Sequence, residues 1–168
     1  MICAVRQRDG RRTVFGRNRR FAVAADAVAA SCAIPGFFSP VVIDGEAYVD
    51  GGLHSPTNAD LLSDKALQLD LVLVSSPMSV SGRRTLRSGW GPAVRRWSGA
   101  LLDTEVLRLR RRGIPALAFQ PTEADVAMMG PNAMDPNKRA AIAAESRTST
   151  LRRLGRADTR ERLSVLLG

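Results

Sequence analysis

The stretch that decides the fold reads Ile43-Asp44-Gly45-Glu46-Ala47-Tyr48-Val49-Asp50-Gly51-Gly52. Its apolar residues predict a strand that ends at Asp50. Gly51 and Gly52 follow directly, and residues without a Cβ let the backbone turn sharply and leave space beside the carboxylate. A sheet presents a catalytic base in this way, so Asp50 is the first candidate for a catalytic residue.

Two further runs flank this strand. The upstream run is Ala30-Ser31-Cys32-Ala33-Ile34-Pro35-Gly36-Phe37-Phe38-Ser39-Pro40, and the downstream run is Ser55-Pro56-Thr57-Asn58-Ala59-Asp60-Leu61-Leu62. In this order and spacing, the three runs resemble the patatin-like phospholipase family, most strongly over about residues 20–80. The resemblance implies a lipid acyl hydrolase that cleaves carboxylic esters, including phospholipids, with a serine and an aspartate. It implies that Asp50 is that aspartate and that Gly51, Gly52, Pro35 and Gly36 shape the site.

The serine that would match this family is absent from the sequence. In the family it lies in a Gly-x-Ser-x-Gly elbow before the aspartate, after a glycine-rich oxyanion loop, and the 168 residues contain neither. We therefore expect residues 1–168 to be the C-terminal, base-bearing portion of a single patatin-like domain, inactive alone. The nucleophile-bearing portion is missing and could lie on another chain. Ser31, Ser55, Ser75 and Ser76 are nucleophiles only in principle, because none sits on a strand-turn-helix elbow between small neighbours.

Asp50 also has a structural interpretation, since Asp-Gly pairs are common at turns. The resemblance favours catalysis. During ester hydrolysis the attacking hydroxyl loses a proton, and a carboxylate that hydrogen-bonds to it in a dry site can accept that proton directly. His54 is the only histidine and suggests a triad. Because the family works without histidine, we interpret His54 as a loop side chain near the rim of the site.

The net charge of +9 comes almost entirely from arginine. A basic surface of this kind attracts phosphate, either in nucleic acid or on an anionic bilayer. The arginine groups have no interleaved aromatic residues on which bases could stack, so nucleic acid is not an expected partner. Two interpretations of the arginines remain: an ordinary solvated surface and a surface that faces a membrane. The alternative function is therefore a non-catalytic, arginine-rich module that binds anionic lipid or another polyanion.

Other sequence features narrow the chemistry. Cys3 and Cys32 are too few for a disulfide framework or a metal cluster, no motif predicts a cofactor, and Cys32 is expected to be buried. Met128, Met129 and Met134 share a predicted loop, where they line an acyl-chain surface or pack in the core. No apolar run approaches the roughly 20 residues that cross a bilayer, and residues 1–6 lack the apolar core of a signal peptide. We expect a cytoplasmic or peripheral membrane protein.

Strands that alternate with helices predict an α/β fold. Asp9-Gly10 and Asp44-Gly45 predict two hairpins. Helices are predicted at residues 21–33, 55–66, 92–112 and 135–154, with Ser55 and Asp135 as the caps of the second and fourth. The third carries an apolar stripe, which consists of Trp97, Leu101, Leu102, Val106 and Leu109. Further strands are predicted at residues 69–74 and 116–119, and loops at 79–91 and 122–134. The continuous apolar run at 69–74 predicts a strand buried on both faces, as in a parallel sheet. The resemblance implies that these elements form part of a three-layer α/β/α sandwich with a mostly parallel sheet.

Overall fold

A computed structural model describes residues 1–17, 21–64, 67–81, 90–130 and 135–164. The chain divides into two compact units, Met1–Asn58 and Ala59–Gly168. Each unit has its own cluster of buried apolar residues. The prediction of one patatin-like domain across the whole chain stays a prediction.

The N-terminal unit contains a four-stranded antiparallel sheet in the order β2-β1-β4-β3. The strands are β1 (Ile2–Arg6), β2 (Arg12–Phe15), β3 (Val41–Ile43) and β4 (Glu46–Asp50). Both predicted hairpins are confirmed. Asp44 and Gly45 have φ values of 50° and 76°, the left-handed geometry that a two-residue turn between twisted strands requires.

Helix α1 (Ala24–Ser31) packs on one face of this sheet. Ala27 and Ala30 are buried against it, because small side chains let the helix approach closely. On the sheet, the rings of Phe15 and Tyr48 meet edge to face with centroids 5.2 Å apart, which is a favourable aromatic arrangement. The helix is shorter than the predicted 21–33. Cys32 follows its last residue and is exposed, so the expectation of a buried Cys32 is wrong.

The segment after β4 contains short 3-10 turns, and residues 55–64 of the predicted helix 55–66 do not form an α-helix, while residues 65–66 lie outside the described residues. The turns are Gly51–Leu53 and Ala59–Ser63. Ser55 does cap the chain as expected, since its Oγ accepts the backbone N–H groups of Thr57 and Asn58 at 3.3 and 3.1 Å. Asn58 then takes a φ of 48°, which interrupts helical geometry before Ala59.

The C-terminal unit pairs two parallel strands, β5 (Val72–Ser75) and β6 (Ala116–Phe119), with helices. The helices are α2 (Trp90–Arg111), α3 (Glu123–Met129), α4 (Arg139–Leu154) and α5 (Ala157–Leu163), and a 3-10 turn at Pro136–Lys138 precedes α4. The parallel pairing, the end of α2 near Gly113 and the capping of residues after Asp135 are confirmed. Asp135 accepts the backbone N–H of Asn137 at 3.0 Å.

The core of this unit lies between α2 and the strand pair. Leu102, Val106 and Leu109 are buried there, as the predicted apolar stripe requires, together with Val72 and Val74. The tryptophan of the stripe, Trp97, remains 45% exposed. No helix within the described residues is both long enough and apolar enough to cross a bilayer.

Several sequence predictions for this unit need correction. Leu73 is 56% exposed and burial alternates along β5, so this strand is not covered on both faces. The predicted loop over residues 122–134 contains α3, which carries Met128 and Met129. Met134 and most of the predicted loop at 79–91 lie outside the described residues.

The described helices and strands form a mixed α/β fold. The larger of the two described sheets is antiparallel throughout. Only β5 and β6 pair in parallel, so the described strands do not form the mostly parallel sheet that the resemblance implies. Strands joined by two-residue turns must run antiparallel, whereas parallel strands need a crossover. The three-layer sandwich stays a prediction.

Candidate functional site

Asp50 is the last residue of β4, as the sequence predicts. In the sheet it pairs with Ala4 of β1. Its backbone N–H leaves this ladder and donates to the carbonyl oxygen of Ala33 at 3.0 Å. This bond joins two of the three runs on which the resemblance rests, the one around Ala33 and the one around Asp50. The backbone of the candidate base is therefore held from both sides.

The side chain of Asp50 is half-buried and capped at one oxygen. Its Oδ1 accepts the backbone N–H of Gly52 at 2.6 Å, at the start of the 3-10 turn Gly51–Leu53. Within the described residues, Oδ2 has no hydrogen-bond partner. A carboxylate held in this way has a fixed orientation and one oxygen available to accept a proton, which is the geometry that a general base needs.

Gly51 and Gly52 are required here for different reasons. Gly51 is buried, and a Cβ at this position would overlap the backbone carbonyl of Cys3. A Cβ at Gly52 would lie 2.9 Å from Asp50 Oδ1, so it would compete with the position of the carboxylate. Gly51 therefore allows close backbone approach to β1, whereas Gly52 leaves room for the Asp50 carboxylate. That these glycines shape a catalytic site stays a prediction. Cys3 had no role in the sequence interpretation, because only the pairing of β1 with β4 brings it to Gly51.

Pro35 and Gly36 lie on the other side of β4. They line a groove of about 420 Å³ together with Val5 and Val49. Val5 and Val49 are cross-strand partners, and Asp50 pairs with Ala4 one residue further along. Because successive side chains of a strand point to opposite faces, this groove is on the Val49 face and Asp50 is on the face covered by α1. That Pro35 and Gly36 shape the site stays a prediction.

The remaining candidates occupy other environments. His54 is exposed, and its backbone N–H donates to Gly51 O at 3.1 Å. The hydroxyl of Ser55 is buried and serves as the cap described above. Ser75 and Ser76 belong to the C-terminal unit, and Ser31 is the last residue of α1. Accordingly, none of these four serines lies on an elbow that starts a helix.

A family model described as patatin-like phospholipase matches residues 7–63. The match includes Asp50, Gly51, Gly52, Pro35 and Gly36. It ends five residues into the C-terminal unit, which starts at Ala59. A comparison with curated proteins found no match. Residues 7–63 are thus similar to a phospholipase family.

Proposed function

We propose that this chain is the base-bearing portion of a lipid acyl hydrolase with a serine-aspartate dyad. The substrate would be a phospholipid or another carboxylic ester. The proposal depends on the geometry of Asp50 at the end of β4. Its Oδ1 accepts the backbone N–H of Gly52, and its Oδ2 remains available to accept a proton. The similarity of residues 7–63 to patatin-like phospholipases supports the same role.

In the proposed reaction, Asp50 accepts one proton and later donates it. A serine hydroxyl donates this proton to Oδ2 while its Oγ attacks the ester carbonyl carbon. When the tetrahedral intermediate collapses, the ester C–O bond breaks and the departing alkoxide takes the proton from Asp50. Water then attacks the acyl-serine with Asp50 again as base, which releases the fatty acid and restores the serine. General-base assistance of this kind contributes typically about 10²- to 10⁴-fold to the rate.

The nucleophile would come from a segment other than these 168 residues, because the sequence contains no Gly-x-Ser-x-Gly elbow. We therefore expect the isolated chain to show no hydrolysis of p-nitrophenyl esters or phospholipids above background. Asp50 cannot replace the nucleophile or the oxyanion donors, which stabilise the transition state in acyl transfer. Turnover by the isolated chain that is lost on Asp50→Ala would contradict the proposal and require a nucleophile within the chain.

The decisive experiment joins this chain to a portion that carries the Gly-x-Ser-x-Gly elbow. Asp50→Asn should lower kcat by at least about 10²-fold, because asparagine keeps the shape and cannot accept the proton. Circular dichroism must show that the variant is folded. A folded Asp50→Asn enzyme with most of its activity would refute Asp50 as the base.

A second candidate function is binding to an anionic membrane surface without catalysis. Exposed arginines occur in both units and favour it, including Arg8, Arg108 and Arg156 with side chains 64%, 62% and 69% exposed. Each of these three is also within 4.0 Å of a carboxylate. The guanidinium in each pair is exposed, and ion pairs at a protein surface are worth about 0–1 kcal/mol, so these arginines can exchange a carboxylate for a lipid phosphate.

A further inference from the structure

A second cavity lies in the C-terminal unit, at the carboxyl ends of its two parallel strands. It has a volume of about 490 Å³, and its lining includes Ser75 and Phe119, the last residues of β5 and β6. In open α/β sheets, ligands bind outside the carboxyl ends of the strands. The family match ends at residue 63, before every residue that lines this cavity. Its role is therefore not explained by the chemistry proposed for Asp50.

One face of helix α4 lines this cavity with polar residues. Ser146, Ser149, Thr150 and Arg153 all line it, and their spacing of i, i+3, i+4 and i+7 places them on one face of the helix. An inward face with this spacing usually carries apolar residues. The Ser149 hydroxyl donates to Asp125 Oδ1 at 3.2 Å, and the Ser146 side chain also hydrogen-bonds Asp125. On this face, the Thr150 hydroxyl and the Arg153 guanidinium are therefore the donors for a ligand that carries oxygen atoms.

Arg153 is the most constrained donor on this face of α4. Its guanidinium carbon lies 5.6 Å from the centroid of the Phe119 ring, so the strand end supports the planar group by a cation–π contact. Its Nε is buried and has no hydrogen-bond partner in the described part of the chain. A buried donor without a partner costs about 1–3 kcal/mol, and more when it is charged. An acceptor bound in the cavity would remove this cost.

The charges around the cavity favour an anion. Arg152, Arg153 and Arg156 line it, and Asp125 is the one carboxylate among the lining residues. Asp125 is already engaged, because its Oδ2 accepts the backbone N–H and the hydroxyl of Thr122, both at 2.7 Å. Arg156 also pairs with Asp158 at 3.1 Å, and both of these side chains are exposed. Burial and the neighbouring Arg156 and Arg162 lower the pKa of Arg153, and Asp158 offsets this only in part.

We propose that this cavity binds a phosphoryl group. A phosphate monoester carries up to two negative charges and several acceptor oxygens, so it suits three arginines and the neighbouring Thr150 hydroxyl better than a single carboxylate does. Arginine binds such oxygens through its planar fork, so the supported position of Arg153 provides both charge and geometry. The phosphoryl group could belong to a free phosphate compound or to a lipid headgroup, since both present the same oxygens.

The test measures binding of inorganic phosphate to the full 168-residue chain by isothermal titration calorimetry. Arg153→Gln should weaken binding at least about tenfold, the effect of losing one charge-assisted donor. Arg147→Gln is the matched control, because Arg147 is an exposed residue of the same helix that does not line the cavity. Its effect should stay within about twofold, as expected for screened surface charge. If Arg153→Gln does not fold, Arg152→Gln tests the same site from an exposed lining position, and it should weaken binding more than the control.

Three results would refute the proposal. They are the absence of saturable phosphate binding, an equal loss in Arg147→Gln and Arg153→Gln, and competition by acetate as strong as that by phosphate. Vesicles containing phosphatidic acid identify the source of the phosphoryl group. If they displace inorganic phosphate, the site takes a lipid headgroup; if only glycerol 3-phosphate does so, it takes a soluble phosphate ester. Failure of the Asp50 proposal would leave these outcomes unchanged, since they are read without hydrolysis.

Discussion

The backbone of Gly51 packs against the carbonyl group of Cys3, so closely that any Cβ at residue 51 would overlap it. The contact ties the turn after β4 to the neighbouring strand β1. It means that the turn beside Asp50 is held by the sheet and not only by its own hydrogen bonds. Two glycines that look equivalent in the sequence should therefore respond differently to substitution.

Gly51→Ala should destabilise the N-terminal unit by about 1–3 kcal/mol, since an extra methyl in a packed site forces the backbone to move. Gly52→Ala should cost less, because the atom it meets is the end of the Asp50 side chain, which can rotate. Gly91→Ala is the control, with no atom within 4 Å of the added Cβ. Hydrogen exchange of residues 1–58 measures the effect on this unit. Equal protection in Gly51→Ala and Gly52→Ala would contradict the packing described for Gly51.

His54→Ala should leave most of the activity of the joined, serine-bearing protein intact. His54 is exposed, and the contact that the structure gives it is a backbone bond to Gly51. A direct carboxylate base makes only Asp50→Asn severely damaging, whereas a histidine relay would make both substitutions comparably damaging. Steady-state kcat and KM of the two variants, compared in parallel, separate these mechanisms. A loss of about 10²-fold or more in His54→Ala would favour a triad.

Asp125→Asn should destabilise the C-terminal unit at neutral pH by about 1–2 kcal/mol, the typical value of a charged cap. Burial alone would raise the pKa of Asp125, but hydrogen bonds from Thr122, Ser149 and Ser146 outweigh it, so the pKa is lowered on folding. A carboxylate whose pKa is lower in the folded state stabilises the fold at pH values above its unfolded pKa. This stabilisation is lost as the pH falls through the folded pKa. The deficit of Asp125→Asn should therefore shrink in acid.

Tryptophan fluorescence during urea unfolding can measure this deficit, because Trp90 and Trp97, the only tryptophans, both belong to the C-terminal unit. Asp103→Asn is a suitable control, since Asp103 is exposed on α2, and exposed substitutions usually change stability by less than about 0.5 kcal/mol. A deficit of Asp125→Asn that stays constant from neutral to strongly acidic pH would show that the charge of Asp125 is not what stabilises the unit.

The chain should sediment with anionic vesicles and much less with neutral ones, because its net charge is +9. Each arginine near an anionic surface contributes about 1 kcal/mol. Raising the salt to about 1 M shortens the screening length to about 3 Å and should release the protein. DNA duplexes of different sequence should bind with similar affinity. Equal binding to neutral vesicles, or none to anionic ones, would leave the arginines as ordinary solvated surface.

The local elements were predictable wherever one short signal dominates. Asp-Gly at residues 9–10 and 44–45 predicts the two hairpins because few residues other than Asn, Asp and Gly adopt positive φ readily. The same logic failed after Ser55, where the cap is present but Asn58 turns the chain out of helical geometry. It also missed α3, although Thr122 and Asp125 have the spacing of a capping box that could have revealed it.

The sequence by itself determined that Asp50 ends a strand before two glycines and that a segment around it, about residues 20–80, resembles a phospholipase family, whose model matches residues 7–63. Those properties depend on neighbours in the chain, which a linear pattern records. Only the tertiary structure decided that Gly51 meets Cys3, that Ala33 binds the backbone of Asp50, and that Arg153 packs on Phe119 beside a cavity. These contacts join residues far apart in the chain. Their existence depends on strand pairing and helix packing, which local sequence patterns do not specify.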